Sequence, residues 1–306
     1  MSDTVAVTGA TGRIGAPLVE ALLRGGRQVR ALSRRPQPGR LGVEWVTGDV
    51  CDRAAVAAVV DGADIVYHAA GQLDGPPDEA ERSLVEGTAN VLLAATRARV
   101  VHVSSLVVLD TASAASRETI DEDACLEPDP GRRGIYTRAK CAAEALARTA
   151  ALGQDVVIVR PGLVVGRMPE SIPLAIGLRV GRVQFLVGPR NALLPVVHTQ
   201  DVAAGLICSA AQLERGGILH LIDPTPVSRS RLLDRLAARD DHPVTIPSGR
   251  VALSFARVAA ISRVPRLSDS AYRLLSAGTS HRWSGQRAIG LGWRPSALEA
   301  WLASAQ

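Results

Sequence analysis

Short apolar, β-branched runs alternate with longer Ala- and Leu-rich stretches of helical period from residue 1 to about residue 165. A short apolar run bounded by turn residues reads as a buried strand, and apolar positions recurring three and four apart read as a helix with one covered face. Strands are therefore expected over Val5 to Thr8, Gln28 to Ser33, Val43 to Thr47, Ile65 to Ala69, Val100 to Ser104 and Val156 to Arg160, with helices between them. Such alternation predicts a parallel sheet covered on both faces, with ligands at the carboxyl ends of its strands. Gly9, Arg34, Asp49, Ala70 and Ser105 all fall within a residue or two of those ends.

The pattern changes after Pro161-Gly162. Residues Gly166 to Pro195 carry many prolines and glycines with little clear alternation, and read as an excursion over the cleft. Val196-Val197-His198 marks a return to the core, followed by a helix over Asp201 to Gln212 and a strand over Ile218 to Ile222. The remainder, Asp223 to Gln306, reads as helical and arginine-rich. Residues 1–165 and 196–222 are thus assigned to one α/β unit, and 166–195 with 223–306 to a smaller, mostly helical lobe on the substrate side.

Composition narrows the class. With 306 residues, 47% of them hydrophobic, the chain can bury a large core. Cys51, Cys125, Cys141 and Cys208 stand far apart without a paired spacing, so neither a zinc site nor a disulfide framework is expected. Met1-Ser2-Asp3 starts no basic-then-apolar leader and no run has the ~18 apolar residues of a span, so the expectation is a soluble cytoplasmic protein. The net charge of +5 comes from dispersed arginines with no aromatic interleaving, which argues against nucleic-acid binding and suits a basic cleft for phosphates.

The candidate chemistry begins at Thr8-Gly9-Ala10-Thr11-Gly12-Arg13-Ile14-Gly15, placed between the first strand and a helix-like stretch, Ala16 to Leu23. Strand, glycine turn and helix in this order suit a dinucleotide. Gly9 allows a tight turn, Gly12 a close approach of backbone to pyrophosphate, and Gly15 close packing of helix on strand. The N–H groups at the helix start then face the anion.

Tyr136 and Lys140 lie four apart on one face of a helix expected to run through Ala151. A phenol is a poor acid or base at neutral pH until a nearby cation favours its phenolate. Lys140 is the only lysine in a chain that otherwise uses arginine, which marks it for a role that a planar guanidinium cannot fill. Ser104 and Ser105 end a predicted strand, and Ser105 is the favoured orienting hydroxyl.

With these residues in place, the chain resembles the extended short-chain dehydrogenase/reductase family, in the branch similar to 3β-hydroxysteroid dehydrogenases and dihydroflavonol reductases; sugar-nucleotide epimerases and dehydratases belong to the same group. The resemblance rests on the glycine turn, Gly48-Asp49-Val50, His68-Ala69-Ala70, Gly87-Thr88-x-Asn90-Val91-Leu92, Ser104-Ser105, Tyr136-x-x-x-Lys140, Arg160-Pro161-Gly162, His198-x-x-Asp201-Val202-Ala203 and Leu291-Gly292-Trp293-x-Pro295. It implies a Rossmann-type doubly wound parallel sheet. It also implies Tyr136 as proton donor or acceptor, Lys140 as the group that lowers the pKa of Tyr136 and holds the nicotinamide ribose, and Ser105 as the hydroxyl fixing the reacting oxygen. Asp49 and Val50 would flank the adenine. Ala69, Ala70, Gly71 and Val103 would line the middle of the cofactor, and Pro161, Gly162, Leu163 and Val164 would meet the carboxamide. Homodimers are common in the family.

Charge argues for NADP(H) over NAD(H), because the second strand ends in Ser33-Arg34-Arg35, where a carboxylate would hold a ribose 2′-hydroxyl and an arginine accommodates a 2′-phosphate. Leu163 stands where the sugar-nucleotide enzymes carry an asparagine, which suits an apolar substrate, and Leu84 replaces a frequent asparagine behind the lysine. His198 and Asp201 are read as structural, Asp201 as a capping or first-turn carboxylate. Three readings stay open: a ketoreductase or alcohol dehydrogenase for a hydrophobic small molecule, a sugar-nucleotide epimerase or dehydratase, and a cofactor-binding sensor without turnover. No metal is implied.

Overall fold

The computed structural model describes residues 4–71, 77–111, 119–166, 177–180, 183–186, 189–237, 244–247 and 281–304. Seven parallel strands form the main sheet: β1 (Thr4–Thr8), β2 (Gln28–Ser33), β3 (Val43–Thr47), β4 (Ile65–His68), β5 (Arg99–Val103), β7 (Val156–Pro161) and β13 (Ile218–Leu221). Their spatial order is β13-β7-β5-β4-β1-β2-β3, so the order reverses between β1 and β4, the switch point at whose carboxyl ends sheets of this kind bind ligands.

Each strand feeds its two faces to different layers. Val5, Val7, Val101, Val103, Val157 and Val159 pack in one cluster with α1 (Gly15–Arg24) and α5 (Thr199–Gln212). Ala6, Val66, Val100, Val156 and Ile158 pack in the other, which also takes residues of α2 (Arg53–Val60), α3 (Pro77–Ala94) and α4 (Ile135–Ala150). Burial on both faces explains why the strands read as continuous apolar runs. Near its carboxyl end the second face turns polar. The register sets Thr8 beside His68 and His68 beside His102, all three buried.

Outside the sheet lie β8 (Leu163–Val165), parallel to β12 (Val196–His198), and the short pairs of β6 (Thr119–Ile120) with β16 (Arg282–Trp283) and β11 (Leu193–Leu194) with β14 (Val227–Ser228). The excursion and the last third, read from sequence as irregular and helical, carry strands in their described parts. β9 (Gly177–Val180) and β10 (Val183–Leu186) are antiparallel with Val180 opposite Val183, and β15 (Val244–Pro247) runs parallel to β10. Helices α6 (Arg229–Ala237), α7 (Gln286–Gly290) and α8 (Ala297–Ala303) account for the rest.

Leu232, Leu233, Leu298 and Trp301 form a second core with Val165, Val196 and Val227. Ala288 and Trp293, assigned from sequence to the smaller lobe, sit in the main core beside Val5 and Leu206. Among the described residues no helix is long and apolar enough to cross a membrane, and no cluster of His, Cys, Asp and Glu could hold a metal.

Candidate active site

The glycine turn is built by close backbone contact. Gly9 has φ 70°, and a Cβ there would stand 2.7 Å from the main chain of Ala69 and Ala70, so the ends of β1 and β4 touch through their backbones. A Cβ at Gly15 would lie 2.0 Å from the Gly9 carbonyl oxygen. α1 then starts with neither an acidic residue in its first turn nor a side-chain cap at Ile14, while Thr11 and Gly12 are exposed and Arg13 is half-buried. An uncapped helix start without a carboxylate fits the diphosphate of a dinucleotide.

Thr8 enters this turn with its hydroxyl turned inward, Oγ1 lying 2.7 Å from His68 Nδ1. The Thr88 hydroxyl donates to the Leu84 carbonyl at 2.6 Å and faces His68 Nε2 at 2.9 Å. Since the Thr88 proton is used, His68 Nε2 donates and Nδ1 accepts from Thr8, a neutral imidazole. Burial depresses the His68 pKa, and the Lys140 ammonium depresses it further.

The loop after β3, where the adenine is expected, is held by α3. Val50 is buried where a Cβ at Gly87 would meet its Cγ1 at 2.7 Å, and Asn90 Nδ2 donates to the Val50 and Cys51 carbonyls at 3.2 and 3.1 Å. The Asp49 carboxylate accepts from Cys51 N–H at 2.8 Å and is itself exposed. Arg34 and Arg35 are exposed beyond β2, in a loop tied by the Ser33 hydroxyl, which donates to the Arg35 carbonyl at 2.8 Å and accepts from Gln37 Nε2 at 3.2 Å.

The proton-handling groups meet at β5 and α4. Tyr136 is half-buried in the first turn of α4, which starts after Gly134 at φ 94°. Thr137, Lys140, Ala143, Glu144 and Ala147 make the buried face of this helix, the three-and-four spacing that the sequence predicts. Lys140 Nζ donates to the Val103 carbonyl at 2.9 Å, at the end of β5. A Cβ at Gly71 would lie 3.9 Å from that Nζ and 2.6 Å from Leu84 Cδ2, so glycine, lysine and leucine share one small space. Burial lowers the Lys140 pKa to about 8, against the charge of Glu144, which raises it.

The two serines separate. Ser104 is buried, 2.6 Å from Glu144 Oε2. Ser105 is half-buried and caps a short turn over Leu106–Val108, accepting from Val107 N–H at 3.3 Å. A hydroxyl that accepts this bond keeps its own proton to donate, which suits an orienting role toward a substrate oxygen.

Pro161 ends β7, and Gly162 N–H bonds to the Leu221 carbonyl at 3.0 Å. Leu163 packs onto the core of the smaller lobe and Val164 onto the main core. His198 occupies the N-cap position of α5, accepting from Gln200 N–H at 3.3 Å. Asp201 caps a different helix from its own: its carboxylate accepts from Ser296 and Ala297 N–H at the start of α8, and its carbonyl accepts from Trp293 Nε1 at 2.9 Å.

Sequence reasoning did not single out Glu144, nor a contact for Arg160. Both are buried, with Arg160 Nη2 and Nε at 2.6 and 3.0 Å from the two Glu144 oxygens. The one signal was an arginine near the end of the otherwise apolar strand β7.

A model of the NAD-dependent epimerase/dehydratase family matches residues 5–221. The chain is 30% identical over 284 residues, 88% of its length, to a 4-hydroxy-2-methyl-3-oxo-4-farnesyl-3,4-dihydroquinoline-1-oxide ketoreductase of Stigmatella aurantiaca, of which it spans 80%. It is 32% identical over 231 residues, 70% of its length, to a 3β-hydroxysteroid dehydrogenase/Δ5→4-isomerase of Mycobacterium tuberculosis, but spans only 61% of that protein. Among solved structures, MoeE5 in complex with UDP-glucose and NAD is 26% identical with a TM-score of 0.71, over 99% of this chain and 97% of MoeE5. The chain belongs to the NAD-dependent epimerase/dehydratase family, the extended short-chain dehydrogenases/reductases, and is an enzyme of that NAD(P)-dependent group.

Proposed function

We propose that the protein is an NADP(H)-dependent ketoreductase or alcohol dehydrogenase acting on a hydrophobic small-molecule ketone or secondary alcohol. The observation that carries this reading is the buried, sole lysine, fixed to the Val103 carbonyl one helical turn beyond Tyr136 and beside Gly71. When bound, the nicotinamide supplies hydride to a carbonyl carbon or accepts it from an alcohol carbon. In the reducing direction Tyr136 gives its phenolic proton to the carbonyl oxygen, and the Lys140 ammonium stabilises the phenolate that remains. Ser105 hydrogen-bonds to the same oxygen through its hydroxyl, keeping its own proton, and holds that oxygen in place. The phenolate then recovers a proton from solvent.

Two features support the choice of substrate and cofactor. Leu163 puts an apolar side chain where an asparagine would favour a nucleotide sugar, and the Stigmatella ketoreductase is a relative over most of the chain. Arg34 and Arg35 put positive charge at the end of β2 for a 2′-phosphate. The likeness to MoeE5 favours a second reading, an epimerase or dehydratase for nucleotide sugars in which oxidation is transient. Net consumption of NADPH separates the two.

The test is the absorbance of reduced nicotinamide across a panel of ketones and secondary alcohols. Tyr136→Phe is expected to cut turnover by about 10²- to 10⁴-fold with NADPH affinity nearly unchanged. A rate near wild type would remove Tyr136 from the mechanism. Replacing Arg34 and Arg35 together by neutral residues should weaken NADPH far more than NADH, and equal loss for both would exclude the 2′-phosphate role.

A further inference from the structure

Three segments bring the chemistry together: the end of β5 with Ser105, the face of α4 with Tyr136 and Lys140, and the end of β7 with Pro161. One buried side chain touches all three. Glu144, 1% exposed, lies one helical turn after Lys140. Its Oε2 takes the hydroxyl of Ser104 at 2.6 Å, next to Ser105 in the chain. Both of its oxygens take Arg160, 0% exposed and next to Pro161, in a two-pronged pair at 2.6 and 3.0 Å. Arg148 Nε adds a bond to Oε1 at 3.0 Å from the half-exposed edge of α4.

A charge pair buried this deeply stabilises a fold weakly, because desolvation offsets most of the attraction. Its geometric effect is stronger, since a forked guanidinium on a carboxylate fixes distance and angle together.

We propose that Glu144 is a positioning residue for the reaction. Anchored by Arg160 and Ser104, it fixes the Lys140 turn of α4 against the strand ends that carry Ser105 and Pro161, and it sets a negative charge one helical turn from the Lys140 ammonium on the buried face. The inference rests on the role of Lys140 in the proposed oxidoreductase.

The charges around the two groups support this. Facing Lys140 are His68 from β4, His102 from β5 and Glu144 from α4, with Tyr136 one helical turn before it. Both histidines are buried with depressed pKa values and are neutral, so neither adds a charge beside the ammonium. Facing Glu144 are Arg160 from β7, Arg148 and Cys141 from α4, and Ser104, with His220 of β13 behind Arg160 at 3.4 Å. Burial pushes the Glu144 carboxyl up, and Arg160, Ser104 and Arg148 bring it below its ordinary value, so it stays charged.

The single lysine makes a direct test possible on the full chain. Isotope-labelled lysine places one side-chain methylene signal in the NMR spectrum, and its pH titration reads Lys140 without substrate or cofactor. The midpoint in Glu144→Gln should fall by about one pH unit below wild type, while Glu144→Asp, which keeps the charge, should stay closer to wild type. If Glu144→Gln does not fold, the double substitution Glu144→Gln with Arg160→Gln takes its place, and its midpoint should fall as well. A wild-type midpoint in a folded charge-free variant overturns the proposal.

A second measurement ties the residue to catalysis. In NADPH-dependent ketone reduction the alkaline limb of the kcat profile should move to lower pH in Glu144→Gln, by the shift seen in the titration. An unmoved limb also counts against Glu144. Failure of the wild-type protein to reduce any ketone would instead overturn the oxidoreductase reading, with the titration still deciding the charge role.

Discussion

A buried carboxylate that accepts main-chain N–H groups from another helix does more than cap. Asp201, 4% exposed, sits in the first turn of α5 yet holds the start of α8 some 95 residues later. Asp201→Ala should leave the Ser296 and Ala297 N–H groups at the start of α8 without their cap and cost about 1 to 2 kcal/mol, read as a lower midpoint in urea, with Asp201→Asn costing less. The distance along the chain explains what a sequence shows at this scale. Tyr136 and Lys140 could be read because their spacing is local and a helix turns it into proximity. The partners of Glu144 and Asp201 are set by tertiary packing, and no spacing rule carries that. Ser105 could be preferred over Ser104 only on position; the structure adds that Ser104 is spent on Glu144.

Among elements, helix α3 does the joining. Gly87 makes room for Val50, Thr88 fixes His68, and Asn90 holds the loop before α2, so one run of four residues secures two strand ends. The glycine turn is equally unforgiving. Gly15→Ala would push a methyl to 2.0 Å from the Gly9 oxygen, which must shift α1 away from β1. Overpacking of this kind costs about 1 to 3 kcal/mol, and the shift should weaken cofactor binding as well, measured by titration of NADPH or NADH fluorescence. An unchanged affinity would show that the helix start does not hold the cofactor. The inner strands β1, β5 and β7 were readable from apolar runs alone, since burial on both faces leaves no competing pattern. β9 and β10 were missed because the proline and glycine content around these two short runs obscured them.

For the whole molecule, buried imidazoles make stability depend on acid. Burial takes His102 and His220 from the ordinary 6.5 down to about 3, with Lys140 adding to the effect on His102 and Arg160 to that on His220; burial also places His68 well below 6.5. Below pH 6.5 the unfolded chain binds these protons and the folded one refuses them. The stability is therefore complete above 6.5 and declines as pH falls toward 3, by about 1.4 kcal/mol per pH unit for each histidine. Urea midpoints between pH 7 and about 4 check this slope, and His102→Leu should flatten it by one histidine, since neither ring nitrogen of His102 has a partner to lose. The sheet carries one more consequence, for synthesis. Its outer strand β13 pairs with β7 only once the chain has been made through Leu221, long after β7 itself has emerged. Until then a nascent chain presents Val156 to Val159 as an open, apolar edge, the kind of surface that recruits a chaperone or a neighbouring nascent chain.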